Sequence, residues 1–141
     1  MVPVKNRAQI RYMGGYRYLL VAVYSVQTKI SGQRIDSEYI NLQTDGMLTI
    51  EAGYCWDGAS GPAVDTNTIM RGSLIHDALY QLLRMEFLAE EFRQASDREL
   101  YRACREDGMG WFRAKYVYRA VRLFGRSSAA AENRRQVQEA P

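Results

Sequence analysis

A single histidine, His76, serves all 141 residues of this chain. That scarcity removes the zinc peptidases built on H-E-x-x-H, which need two imidazoles on one helix. It also removes metal-dependent phosphohydrolases assembled from several His-Asp pairs. Cysteine is nearly as scarce: Cys55 and Cys104 stand in no metal-ligand spacing, so neither a cysteine-rich zinc site nor a disulfide scaffold is expected. Two reduced thiols are the favoured reading. No apolar run approaches the ~20 residues that cross a bilayer, so no transmembrane segment is expected. The opening MVPVKNRAQIRYMGG does not read as a secretory signal, because no basic stretch leads into an apolar core. A formal charge of +3 is too mild to argue for nucleic acid, which calls for a dense Lys/Arg stripe. Gly58-Ala59-Ser60-Gly61 lacks the Gly-Lys-Ser/Thr half of a phosphate-binding P-loop and is no Gly-x-Ser-x-Gly nucleophile elbow.

What is present is the composition of an ordinary globule, 47% hydrophobic and 25% charged. Length and composition predict one α+β domain over residues 1–126. The first half reads as an antiparallel β-meander. Tyr16–Ile30 is aromatic and β-branched, Ser37–Gln43 alternates, and Met47–Ala52 returns with Leu48 and Ile50 on one face. Between the last two, Asp45-Gly46 signals a hairpin with positive φ at both central positions.

The second half reads as three helices. In the first, about Asn67–Met85, Ile75, Ala78, Leu79, Leu82 and Leu83 share one arc, with Asp65 and Thr66 as candidate caps. His76 falls at the margin of that arc and Asp77 about a quarter turn towards the polar side. A second helix, about Ala89–Glu106, buries Phe92, Ala95, Leu100 and Ala103, and Asp107-Gly108-Met109-Gly110 ends it. A third, Trp111–Phe124, turns Trp111, Val117, Val121 and Phe124 inward and leaves Arg113, Lys115, Arg119 and Arg122 as a solvated face. Residues 127–141, rich in Ser, Ala, Glu, Arg and Gln, read as a flexible tail that could hold a neighbouring copy or another partner chain.

The chemistry concentrates around His76-Asp77-x-x-Tyr80, fed by the loop Trp56-Asp57-Gly58-Ala59-Ser60-Gly61-Pro62. A lone histidine acts as a general base when a carboxylate orients its far nitrogen and stabilises the imidazolium. Asp97 on the second helix is the candidate for that carboxylate, since antiparallel packing brings it towards His76. Asp77 diverges from its helical neighbour and is left for a hard cation completed by loop oxygens, in the manner of calcium. The bland alternative is equally concrete. His76 is then a satisfied core residue, Tyr80 a core filler whose hydroxyl meets a carboxylate, and Asp57 a clamp on backbone amides.

Two resemblances meet here. Tyr54-Cys55-Trp56-Asp57-Gly58-Ala59-Ser60 followed by Ser73-Leu74-Ile75-His76-Asp77-Ala78-Leu79-Tyr80 resembles a family of small phage and prophage proteins. That resemblance covers most of the chain. It implies a viral origin, synthesis in the host cytoplasm with incorporation in the virion as an option, and phage structural proteins as partners, but no activity. The same segment is similar to secretory phospholipases of the A-two type. Gly58, Gly61, Asp65, His76, Asp77 and Tyr80 fall at matching intervals, and Ser96-Asp97-Arg98 is similar to the second-helix pattern.

Carried over, the phospholipase resemblance implies that His76 activates water, Asp97 orients it and Tyr80 belongs to the same catalytic set. Calcium would be held by Asp77 and the carbonyls of Trp56, Gly58 and Ser60, with Asp57 as an added carboxylate. The implied substrate is a lipid or other acyl ester. The departures are that Gly72 and Ser73 replace the paired cysteines of that family, and that the β-meander is foreign to it. Two functions follow: a phage-encoded hydrolase-like module, or a non-catalytic virion, tail or assembly component in which the same residues are structural.

Overall fold

The computed structural model describes residues 12–13, 18–58 and 67–130. The chain is α+β, with antiparallel strands followed by three helices. It divides into two compact units at Trp56/Asp57, the strands falling in the first and the helices in the second.

In the first unit, β1 (Tyr12–Met13), β2 (Tyr18–Leu20) and β7 (Cys55–Trp56) form one sheet, ordered β1-β2-β7. The other sheet contains β3 (Tyr24–Gln27), β4 (Ile35–Asp36), β5 (Ile40–Leu42) and β6 (Met47–Ile50), ordered β3-β6-β5-β4. Its register sets Tyr24 and Ile40 opposite Ile50, and Val26 and Leu42 opposite Leu48. All six are buried, as period-2 alternation requires when one sheet face is covered.

The Tyr16–Ile30 run is not one strand. Within it the chain leaves one sheet after Leu20 and joins the other at Tyr24. Leu20 is held to the Gly53-Tyr54 segment, its N–H donating to the Tyr54 carbonyl (2.8 Å) and its carbonyl accepting from Gly53 (2.7 Å). Val21 and Val23 are left exposed. Apolar composition alone did not reveal that change of sheet. The Asp45-Gly46 hairpin also differs from expectation, because only Gly46 is left-handed (φ 95°). Its N–H bonds the Gln43 carbonyl and the Gln43 N–H bonds that of Met47, both at 2.9 Å. That is the three-residue hairpin with a left-handed closing glycine.

The second unit is built from α1 (Met70–Arg84), α2 (Arg93–Glu106), entered through a 3₁₀ turn at Glu90–Phe92, and α3 (Trp111–Ala129). Each packs on the other two. Ile69, Leu100, Cys104, Met109, Ala114 and Val117 form an apolar cluster. Arg71, buried on α1, bonds Asp107 at 3.0 and 3.2 Å and Glu106 at 2.7 Å, tying α1 to the end of α2.

Both interhelical turns end their helices alike. After α1, Glu86 and Phe87 donate to Leu83 and Leu82; after α2, Gly108 and Met109 donate to Arg105 and Cys104. This is the six-to-one, five-to-two closure of a Schellman end. Gly108 adopts the left-handed conformation freely at φ 103°, whereas Glu86 adopts it at φ 62° with a side chain attached.

Three helix expectations are corrected. Asp65 and Thr66 lie outside the described residues, while α1 begins at Met70 behind Ile69 with no side-chain cap. Trp111 and Phe124 do not point inward and are 60% and 72% exposed. Ala114 and Val117 are buried and Val121 partly so, because their three- and four-residue spacing defines a single inward arc that Trp111 and Phe124 only flank. Finally, α3 runs on to Ala129, so the first residues assigned to a flexible tail are helical. Residues 131–141 lie outside the described residues.

Candidate functional site

The centre of the helical unit is a carboxylate. Asp97 on α2 has no solvent exposure, although Asp is seldom fully buried without partners. It is satisfied from all three helices. From α1, His76 Nε2 stands 2.7 Å from Oδ1, and the Tyr80 hydroxyl donates to the same oxygen at 2.7 Å. From α3, Arg122 Nη1 donates to Oδ2 at 2.7 Å. Arg93, one turn before Asp97 on α2, places Nη1 3.8 Å from Oδ2 and donates to the Tyr80 oxygen at 3.3 Å. The other reach of the Arg93 guanidinium is to the backbone carbonyls of Val121 and Arg122, both at 3.4 Å.

Sequence spacing explains the assembly. His76 and Tyr80 are four residues apart, so they project from the same face of α1, and their rings meet at a 38° tilt with centroids 4.1 Å apart. Arg93 and Asp97 repeat that spacing on α2. Tyr80 can reach so deep because Gly125 faces it from α3. A Cβ at Gly125 would stand 2.5 Å from the Tyr80 oxygen and 3.2 Å from its ring carbons.

The electrostatics follow from the contacts. Burial by itself raises the pKa of Asp97, but hydrogen bonding and charge from His76, with the bonds from Tyr80 and Arg122, outweigh it. The carboxyl therefore titrates below its ordinary value and is ionised at neutral pH. Tyr80 is pushed far above the usual phenol range, first by burial and then by the adjacent Asp97 charge. It is a neutral donor. An ionised Asp97 fixes the neutral imidazole as the Nε2–H tautomer, which leaves Nδ1 as the acceptor nitrogen. Nδ1 has no hydrogen-bond partner among the described residues, and His76 retains 8% of its surface exposure.

Among the residues expected from sequence, His76, Asp97 and Tyr80 are thus in mutual contact. Asp77 is half-buried on α1 beside His76, Asp57 is exposed and Gly58 takes a left-handed φ of 82°. Trp56 belongs to the first unit; Ser60, with Gly61 and Asp65, lies outside the described residues. The described residues contain no group of three or more His, Cys, Asp or Glu placed to hold a metal ion.

Two participants were missed. Arg122 was assigned to a solvated face, yet it reaches inward to Asp97. Arg93 was not singled out, although its spacing from Asp97 was the available signal. Gly72 lies on the buried face of α1, close to α2. A Cβ there would lie 3.1 Å from Cys104 Sγ and 2.9 Å from Leu100 Cδ1. Both cysteines are free thiols, and burial pushes the Cys104 thiol up to about 12.

Comparison of the chain with protein-family models, with curated proteins and with solved structures finds no match.

Proposed function

We propose that the helical unit is a hydrolase module that cleaves a lipid or other acyl ester, with His76 and Asp97 activating water. The observation that carries this reading is the 2.7 Å contact of His76 Nε2 with the buried Asp97 carboxylate, which leaves Nδ1 to receive a proton. Water at Nδ1 would surrender its proton as its oxygen attacks the ester carbonyl. Asp97 would stabilise the imidazolium that forms, and Tyr80 and Arg122 would keep its carboxylate from rotating. His76 would then return the proton to the departing alkoxide.

Calcium belongs to this proposal through Asp77, the one carboxylate beside His76 on α1. Bound, it would polarise the ester carbonyl. A phage origin and a place in the virion remain part of the same proposal.

One observation favours a second reading. Arg122 and Arg93 share the charge of Asp97, so less of it is available to an imidazolium. In this reading the network is a polar staple joining three helices inside a non-catalytic assembly component. The deciding experiment measures hydrolysis of phospholipid and short-chain esters, with calcium or with chelator, by wild type and His76→Gln. The hydrolase reading expects activity in wild type and a loss of roughly 10²–10⁴-fold in the variant, with folding retained. A folded wild type that cleaves none of these esters with calcium leaves the staple as the function of these residues.

A further inference from the structure

The outward face of α3 carries large apolar side chains among cations. Phe112, Tyr116 and Leu123 are 75%, 55% and 74% exposed. At 3.6 residues per turn they fall within about 40° of one another, on the side of the helix away from Ala114 and Val117. They therefore form a continuous stripe rather than scattered exposures. Trp111, at the first turn of the helix, and Phe124, more than one turn before its end, are exposed as well.

Lys115, Arg119 and Arg126, all exposed, run along one border of the stripe. Between Trp111 and Ala129 the sequence has Arg113, Lys115, Arg119, Arg122 and Arg126 and no acidic residue at all. A helix of 19 residues with an apolar stripe, exposed aromatics and no charge but cations has the pattern of a helix that lies in a membrane interface.

We infer that this face docks on an anionic phospholipid surface, with Phe112, Tyr116 and Leu123 entering the headgroup–acyl boundary and Lys115, Arg119 and Arg126 pairing with lipid phosphates. Charge complementarity selects the anionic surface. The protruding Leu123 and Phe112 favour lipid over a nucleic acid, which would offer cations a partner but leave an aliphatic side chain in water. The inference rests on the outer face of α3 and does not require His76 to be catalytic.

The test is co-sedimentation of the full chain with vesicles of phosphatidylcholine, with and without phosphatidylglycerol. Binding is expected to the anionic vesicles, to weaken as salt is raised, and to be weak or absent with neutral ones. Lys115→Gln and Arg119→Gln should each lower the partition coefficient roughly fivefold, the usual effect of one basic residue near an anionic surface. Leu123→Asp should lower it roughly tenfold or more, from the lost apolar burial. Because these side chains are exposed, circular dichroism should show the variants folded.

His76→Gln should bind vesicles like wild type, which separates failure of this inference from failure of the hydrolase reading. No binding to anionic vesicles, equal binding to neutral ones, or binding undiminished by Leu123→Asp would overturn it. So would stronger binding to a single-stranded oligonucleotide than to anionic vesicles.

Discussion

Gly125 and Tyr80 share one space: the Tyr80 oxygen lies 2.5 Å from the point a Cβ at position 125 would occupy. The phenol cannot retreat cheaply, because its oxygen is bonded to Asp97 at 2.7 Å and to Arg93 at 3.3 Å. Gly125→Ala is expected to destabilise the protein by ~1–3 kcal/mol, the usual range for overpacking a filled interior. The same substitution made on Tyr80→Phe should cost less, since the colliding oxygen is gone. Urea unfolding of the two single variants and the double variant measures that coupling. Additive losses would mean that the phenol oxygen is not what constrains position 125.

Asp97 should be the most sensitive position in the helical unit. Asp97→Ala leaves Arg93, which is buried, without its anion, and strands the His76 and Tyr80 donors. Removing one partner from a buried charge pair costs ~3–5 kcal/mol. Arg122→Ala should cost less, because its side chain is 30% exposed and Asp97 keeps its other donors. The ranking is read from denaturant midpoints at unchanged slope. An Arg122→Ala loss as large as that of Asp97→Ala would show that the α3 contact, not the carboxylate, dominates.

Stability should fall at both extremes of pH, for two different groups. Asp97 has a folded pKa below its unfolded value. Its contribution is therefore present above about pH 4, the ordinary carboxylate value, and is lost as pH falls through the folded value. Tyr80 is raised in the folded state. Its contribution is full below about pH 10, and erodes above that, where the unfolded chain releases the phenol proton first. Thermal melts across pH should show Asp97→Asn with a shallower acid limb and Tyr80→Phe with a shallower alkaline limb. Unchanged limbs would assign the pH dependence to other groups.

Much of this architecture was written locally. The i to i+4 spacing of His76 and Tyr80, the apolar arc of α1 and the Asp107-Gly108 stop are short-range patterns. The placement of Asp97 opposite His76 followed from packing one amphipathic helix on another. What remained hidden depended on distant parts of the chain. Arg122 reads as one more cation in a basic run, and only the rotation of α3 about its axis turns it towards Asp97. That rotation is set by small residues, Ala114 and Gly125, which carry little weight in a reading based on hydrophobicity. The same oversight placed Trp111 and Phe124 in the core. The break between β2 and β3 was hidden for a related reason, since Val21 and Val23 are apolar yet lie where the chain changes sheets.

Gly72 offers a direct test of how α1 and α2 pack. A Cβ at this position would lie 3.1 Å from Cys104 Sγ, close to the ~3 Å that separates one Cβ from the opposite sulfur in a disulfide. Gly72→Cys should therefore form a bridge to Cys104 on mild oxidation. The reaction should begin at the introduced thiol, since burial holds Cys104 at about 12 and keeps it protonated. Leu100 Cδ1, 2.9 Å from the same point, must rotate aside, so the reduced variant should be less stable than wild type. Oxidation should more than recover that loss. Closing a loop of this length restricts the unfolded chain by ~3–4 kcal/mol. Thiol titration in denaturant should find three thiols before oxidation and Cys55 alone afterwards, with the loss of two hydrogens by mass. If Cys104 stays reduced while the introduced thiol pairs between molecules, α1 and α2 do not meet at this point, and the register that brings Asp97 to His76 is wrong with it.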